Sequence, residues 1–236
     1  MTTRSSINAL PENAAPATPI TASRPLGSLV IGVCGSSAAE STLRLVQEAL
    51  RYAEDVTVVA TPTAAALFVS ELPVPLYTDE DWIDEPLHVT LLQKADTFVV
   101  APATATTLAK AAAGIADTLV TALVCVHGPG VYFQPCMNAR MWTSPAVRRA
   151  VDTLRGDGHY VLDPHPVASR ASRTVGTGVG EIPGTVMTTV AEHARAGSRG
   201  TTTPLPSAPL VAPVGEEDAP AADGRSLRLA QPERWG

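Results

Sequence analysis

Leu29-Val30-Ile31-Gly32-Val33-Cys34 is a continuous apolar run, and Gly35-Ser36-Ser37 follows it at once. An apolar run of this length with no polar interruption predicts a strand buried on both faces. Such strands belong to parallel sheets covered by helices; a strand with one wet face alternates instead. Outward from this run the pattern repeats. Apolar positions Leu43, Val46 and Leu50 suit one face of a helix over residues 39–52. Residues 56–60 predict a second strand and 63–69 a short helix. A helix over 87–95, a strand over 97–101 and a helix over 105–113 follow. A strand over 131–134, a helix over 139–154 and a strand over 160–162 complete the alternation. The fold class is therefore α/β: a Rossmann-like (flavodoxin-like) parallel sheet with helices on both faces. Ligands in such sheets bind beyond the C-terminal ends of the strands, so the loops there are the ones to search.

Bulk composition narrows the classes. The chain has 236 residues, 45% of them hydrophobic, enough for one domain with a core. Aromatic residues make up 4%, so Val, Leu, Ile and Ala must fill that core. A net charge of -6 does not attract phosphate backbones, and nucleic acid is not an expected partner. No apolar run approaches the ~20 residues that span a bilayer, so no membrane partner is expected. Cys34, Cys125 and Cys136 form no CxxC spacing, which argues against a disulfide framework and against a metal site. A reducing, cytoplasmic location fits. Residues 1–25 and 197–236 are rich in Pro, Thr and Ala and read as disordered tails around a domain over 26–196. A partner-binding arm is the alternative for either tail.

Four loops sit where a ligand would. Gly35-Ser36-Ser37 could hold a phosphate through backbone N–H groups, or Ser36 or Ser37 could simply cap the next helix. It is not GxGxxG, so a dinucleotide fingerprint is absent. Thr61-Pro62 could cap its helix or reach the same phosphate. Pro102-Ala103-Thr104-Ala105-Thr106-Thr107 carries three hydroxyls in four positions, more than capping needs. Gln134-Pro135-Cys136-Met137-Asn138-Ala139-Arg140-Met141-Trp142 is the most specific segment. Its Asn138 could bind a carboxylate or cap a helix, and Met and Trp in such a place are ordinarily core.

Together these loops resemble the homo-oligomeric flavin-containing cysteine decarboxylases, a family that includes phosphopantothenoylcysteine decarboxylases and the peptidyl-cysteine decarboxylases of lantibiotic biosynthesis. The family's PxMNxxMW signature is met by Pro135, Met137, Asn138, Met141 and Trp142, with Cys136 where many members have Ala. Its PASANT signature is met loosely by residues 102–107, with Thr104 for Ser and Thr106 for Asn. Gly114-Ile115-Ala116-Asp117 matches the turn that follows. The resemblance runs from about residue 29 to 190. It implies that His88 is the acid/base group near the substrate thiol and that Asn138 holds the carboxylate. It sets Gly35, Ser36, Ser37, Thr61, Phe68, Pro102, Ala103, Thr104 and Thr107 against the flavin, FMN by family default and FAD as the alternative. Met137, Asn138 and Met141 would face the substrate. It also implies a homo-oligomer, a trimer or a dodecamer built of trimers, with the flavin at a subunit contact.

The chemistry explains the cofactor. A cysteine loses its carboxylate only when the electrons left behind have a sink. Oxidising its side chain to a thioaldehyde supplies one, and decarboxylation then yields an enethiolate. Phosphopantothenoylcysteine decarboxylases reduce that product further with a cysteine on a later flap. Residues 163–182, the corresponding region, contain no cysteine and are Gly-rich and basic. They read as a clamp over a peptide tail, with a loop free of substrate contact as the plainer account. The expected activity is oxidative decarboxylation of the C-terminal cysteine of a precursor peptide, towards aminovinyl-cysteine, with oxygen as the expected oxidant of the flavin. A phosphopantothenoylcysteine decarboxylase is the runner-up. Flavin prenyltransferases of the same fold would not be expected to carry both His88 and MNxxMW. A regulatory subunit that binds a phosphatase is disfavoured, since His88 and Asn138 are both retained.

Overall fold

The structure is a computed structural model that describes residues 24–68, 71–168 and 175–197. The opening apolar run is β1 (Ser28–Val33), central in a six-stranded parallel sheet. On one side of it lie β2 (Asp55–Ala60) and then β3 (Leu76–Tyr77). On the other lie β4 (Thr97–Ala103), β5 (Tyr132–Pro135) and β7 (Tyr160–Val161). Every pairing in it is parallel. The order 3-2-1-4-5-7 reverses direction between β1 and β4, the crevice where α/β sheets bind ligands. The expected fold class is the one observed.

Alternation along β1 divides the core in two, because successive side chains point to opposite faces. Leu29, Ile31 and Val33 face α1 (Thr42–Ala49) and α8 (Pro183–Gly197), where Val46, Met187 and Val190 are fully buried. Val30, with Phe98 of β4 and Phe133 of β5, faces the opposite layer. There α4 (Ala105–Ala112), α5 (Leu119–His127) and α7 (Pro145–Gly156) contribute Leu108, Leu123 and Val151.

Several elements depart from the expected spans for local reasons. The helix expected over 39–52 is a 3-10 turn (Ser37–Ser41) followed by α1. The short helix expected over 63–69 is α2 (Pro62–Ala65), capped by Thr61. Only the first turn of the helix expected over 87–95 is regular, as α3 (Leu87–Thr90). The helix expected over 139–154 breaks into α6 (Ala139–Trp142) and α7 at Ser144-Pro145, since proline has no N–H to continue the ladder. Helix α5 was not expected at all. Its run Leu-Val-Thr-Ala-Leu-Val is buried all round and so carries no amphipathic period. Its start was nevertheless written in a capping box: Thr118 Oγ1 accepts from Thr121 N at 3.2 Å, and Thr121 Oγ1 accepts from Thr118 N at 3.1 Å.

The segment read as a clamp contains β8 (His165–Ala168) and β9 (Val175–Gly180), paired antiparallel. With β6 (Met137–Asn138) they form a second, three-stranded sheet in the order β6-β9-β8. The segments read as tails lie outside the described residues, except for Arg24, Pro25 and Gly197. Among the described residues no helix is long and apolar enough to cross a membrane.

Phe98 is fully buried between β1 and the α5 layer. Phe98→Ala should cost about 3–5 kcal/mol of unfolding free energy, as a large aromatic removed from a close-packed site does. A urea titration of the variant would show it, and a midpoint equal to wild type would mean that the site collapses without penalty.

Candidate active site

Three strand ends are stitched together where the sheet reverses. Cys34 N, just past β1, donates to Pro102 O of β4 at 3.2 Å, and Cys136 N, just past β5, donates to Ala103 O at 2.9 Å. The loops leaving these ends, with the one that leaves β2, wall a cleft of about 490 Å³. Gly35, Ser36 and Thr61 form one wall, Thr104 and Thr107 a second, and Met137 and Met141 a third.

The hydroxyls are held in place by capping. Ser36 Oγ accepts from Ala38 N at 3.4 Å and donates to Cys136 Sγ at 3.2 Å. Thr61 Oγ1 accepts from Ala64 N at 3.4 Å. Thr104 Oγ1 accepts from Thr107 N at 3.2 Å and lies 3.0 Å from Thr107 Oγ1. Ser36, Thr61 and Thr104 thus each cap a helix and line the cleft at once. Gly35 is required by space: a Cβ there would stand 2.5 Å from Thr63 Cγ2.

Not every residue singled out in the sequence reaches this cleft. Ser37 is exposed on the 3-10 turn, and Phe68 packs against the α1-side core. Ala103 is fully buried within β4. Pro102 lines a smaller, mostly apolar cavity of about 160 Å³ beyond Cys136, with Leu45, Gln134 and Val186. Asn138 is exposed at the start of α6, where its Oδ1 accepts from Arg140 N at 2.9 Å. With the oxygen committed to the cap, Asn138 has its NH2 group to offer an acid. His88 sits on α3, outside the cleft lining, and its Nδ1 accepts from Trp82 Nε1 at 2.8 Å.

The cleft also has members that sequence reasoning passed over: Thr63, Lys110, Thr118 and Thr121. Lys110 was legible in principle, since it falls three and four residues after Thr107 and Thr106 on one helix face. It is paired with Asp117 at 2.6 Å. Thr118 and Thr121 came with the helix that was not foreseen.

Burial acts on two thiols. Cys34 is pushed up from 9.0 to about 11 by desolvation, against the hydrogen bonds of the Thr107 side chain and the Thr104 backbone. Cys136 is likewise raised by desolvation, and the Ser36 hydroxyl opposes the shift. Neither thiol is primed as a nucleophile.

The donor set fits a flavin nucleotide. Hydroxyls, one lysine and no carboxylate line the cleft, which suits a phosphate, and two thioethers form an apolar wall for a ring. The protein-family model described as Flavoprotein matches residues 21–194. The chain belongs to that flavoprotein family. This is the family of flavin-containing cysteine decarboxylases that its loops resemble. Among similar proteins, the bifunctional coenzyme A biosynthesis protein CoaBC of Mycobacterium tuberculosis is 41% identical over 143 residues, 58% of this chain and 34% of that protein. The chain thus matches about a third of CoaBC's length. The mersacidin decarboxylase of a Bacillus species is 31% identical over 147 residues, 58% of this chain and 73% of that protein. The solved FMN-binding protein AtHal3 superposes with a TM-score of 0.63 at 30% identity, over 72% of this chain and 97% of that one.

Two outcomes follow for the flavoprotein. Gly35→Ala should lower flavin affinity by about tenfold or more, because the new Cβ must push Thr63 into the cleft; absorbance of the purified variant reads this, and Gly35→Ala/Thr63→Gly should restore it. The second concerns pH. Cys34 is raised in the folded state, so its contribution to stability is complete below pH 9.0 and is lost as pH rises towards about 11. Denaturant titrations across that window should show a decline that Cys34→Ala flattens. Equal slopes in the two proteins would contradict the burial of this thiol.

Proposed function

We propose that this flavoprotein oxidatively decarboxylates the C-terminal cysteine of a ribosomal precursor peptide, giving an aminoenethiol on the way to aminovinyl-cysteine. One observation carries the choice of a peptide substrate. The β8–β9 hairpin is hydrogen-bonded into the signature segment itself, Met137 opposite Val179 and Asn138 opposite Gly178. An arm rooted beside the group that would hold the substrate carboxylate suits an extended peptide tail. The sequence over residues 163–182 contains no cysteine to reduce an enethiol further. The mersacidin decarboxylase among the similar proteins supports this reading.

Ser36, Thr61, Thr104 and Thr107, with Lys110 nearby, would hold the phosphate of FMN in the cleft, and Met137 and Met141 would wall its ring. When bound, the flavin would supply the hydride acceptor for oxidation of the cysteine side chain. The protein's own tasks are orientation and charge placement. Asn138 donates its NH2 hydrogens to the substrate carboxylate, and His88 attends the sulfur. His88 stands outside the cleft of its own chain, so the reading requires a second copy to bring the imidazole and the flavin together. Exposed apolar side chains at Ile83, Val89, Ile115 and Met141 offer the surface for a homo-oligomer.

Coenzyme A biosynthesis is the second reading, favoured by the 41% identity to CoaBC. One assay separates the two. The protein is mixed aerobically with peptides ending in cysteine and, separately, with phosphopantothenoylcysteine. Loss of about 46 Da from the peptides alone, CO2 plus two hydrogens, is the expected result. Loss of CO2 alone from phosphopantothenoylcysteine would replace the peptide reading. His88→Asn should abolish turnover with the flavin still bound; wild-type turnover in that variant would take His88 out of the chemistry.

A further inference from the structure

Trp82 precedes His88 by six residues, in the turn before α3, and its indole meets the imidazole edge-on. The ring centroids are 5.5 Å apart at 68°, and Trp82 Nε1 lies 2.8 Å from His88 Nδ1. The turn that carries Trp82 is itself fastened on the N-terminal side of the indole. Thr78 N and Oγ1 donate to Asp81 Oδ2 at 2.7 and 3.0 Å. Asp79 Oδ1 accepts from Leu119 N at 2.9 Å, which ties the turn to the start of α5. The indole body also packs against the core layer that holds Leu87 and Leu91. Trp82 is therefore a built-in neighbour of His88.

An indole N–H only donates. The atom facing it must offer a lone pair, so His88 Nδ1 carries no hydrogen. A neutral imidazole has one N–H and one bare nitrogen, and the hydrogen must then sit on Nε2. Among the described residues, Nδ1 is the ring nitrogen of His88 that has a hydrogen-bond partner.

We infer that Trp82 is a positioning residue that locks His88 as the Nε2–H tautomer, so that His88 meets the substrate sulfur as a hydrogen-bond donor to a thiolate. The inference rests on the cysteine-decarboxylase reading for its substrate. It changes the role of the histidine within that reading. With Nδ1 held by the indole and Nε2 already bearing hydrogen, the ring has no free lone pair to take the thiol proton. The S–H bond breaks heterolytically instead, its proton passes to solvent water, and both electrons remain on sulfur. Nε2–H then donates to that sulfur, a charge-assisted bond of the stronger kind.

The test begins with the wild-type protein, which needs no variant to fold. Long-range ¹H–¹⁵N spectra of ¹⁵N-labelled protein read which ring nitrogen of His88 bears hydrogen, with His88→Asn supplying the assignment. A ¹⁵N–¹⁵N coupling through the Trp82–His88 hydrogen bond is expected in the same sample. Trp82→Phe keeps an aromatic ring and removes the N–H. It should turn the single tautomer into a mixture and lower kcat on peptides ending in cysteine by about tenfold, one hydrogen bond's worth, with KM within about twofold. Hydrogen on Nδ1 in the wild type, or an unchanged tautomer in Trp82→Phe, would overturn the lock. A tautomer shift in Trp82→Phe with peptides left unprocessed by the wild type would sustain the lock and overturn the substrate reading instead.

Discussion

β4 is buried at all seven of its positions and has β1 on one side and β5 on the other. Because both connections near it leave in opposite directions, no helix can cover the point where β1 and β4 meet at their C-terminal ends. The backbone groups there are satisfied instead by bonds between loop and strand: Cys34 to Pro102 and Cys136 to Ala103. Everything chemically interesting hangs from those two bonds. They set the spacing between the Ser36 loop, the Thr104 cap and the Met137 segment, and so set the width of the cleft. A Rossmann-type order supplies the crevice, while the choice of loop residues decides what it holds.

Much of this was legible before any coordinates. A continuous apolar run marks β1 because a doubly covered strand has no wet face to advertise, and the short apolar stretches of β2 and β4 are legible beside it. The same logic hid α5. A helix segment buried all round loses its 3.6-residue signature, and the run from Leu119 to Val124 reads equally well as a strand or as nothing. Strands of two residues, such as β3 and β6, have no periodicity to detect and exist through their partners. The break at Pro145 was written in one residue and was overridden by a long amphipathic pattern on either side of it.

The site was legible in its loops and less so in its composition. Hydroxyls that cap helices were recognisable from position alone, whereas Thr118 and Thr121 depended on a helix that the pattern concealed. Pro102 and Ala103 show the opposite limit. Motif resemblance places them at the flavin, yet a strand alternates, and within this chain Ala103 is fully buried and Pro102 looks into the smaller cavity. Lone-chain geometry likewise keeps His88 away from the hydroxyl cleft, because the sequence carries no mark of which surfaces are completed by another copy. Family and cofactor class follow from the matched domain, while the sequence pattern of the loops does not by itself separate one cysteine substrate from another.

The root of the β8–β9 arm has a consequence for how such chains can vary. A side chain at Gly180 would have its first carbon 3.2 Å from Cys136 Sγ. Position 136 sits in the signature loop and position 180 ends β9, so the two are far apart in sequence yet share one small volume. Gly180 has nothing smaller to change to, so a side chain there must be matched by a smaller residue at 136, or β9 is lifted off β6. The two positions are therefore expected to drift together among relatives. The closeness of the hairpin to the signature loop is thus limited by the combined size of two side chains.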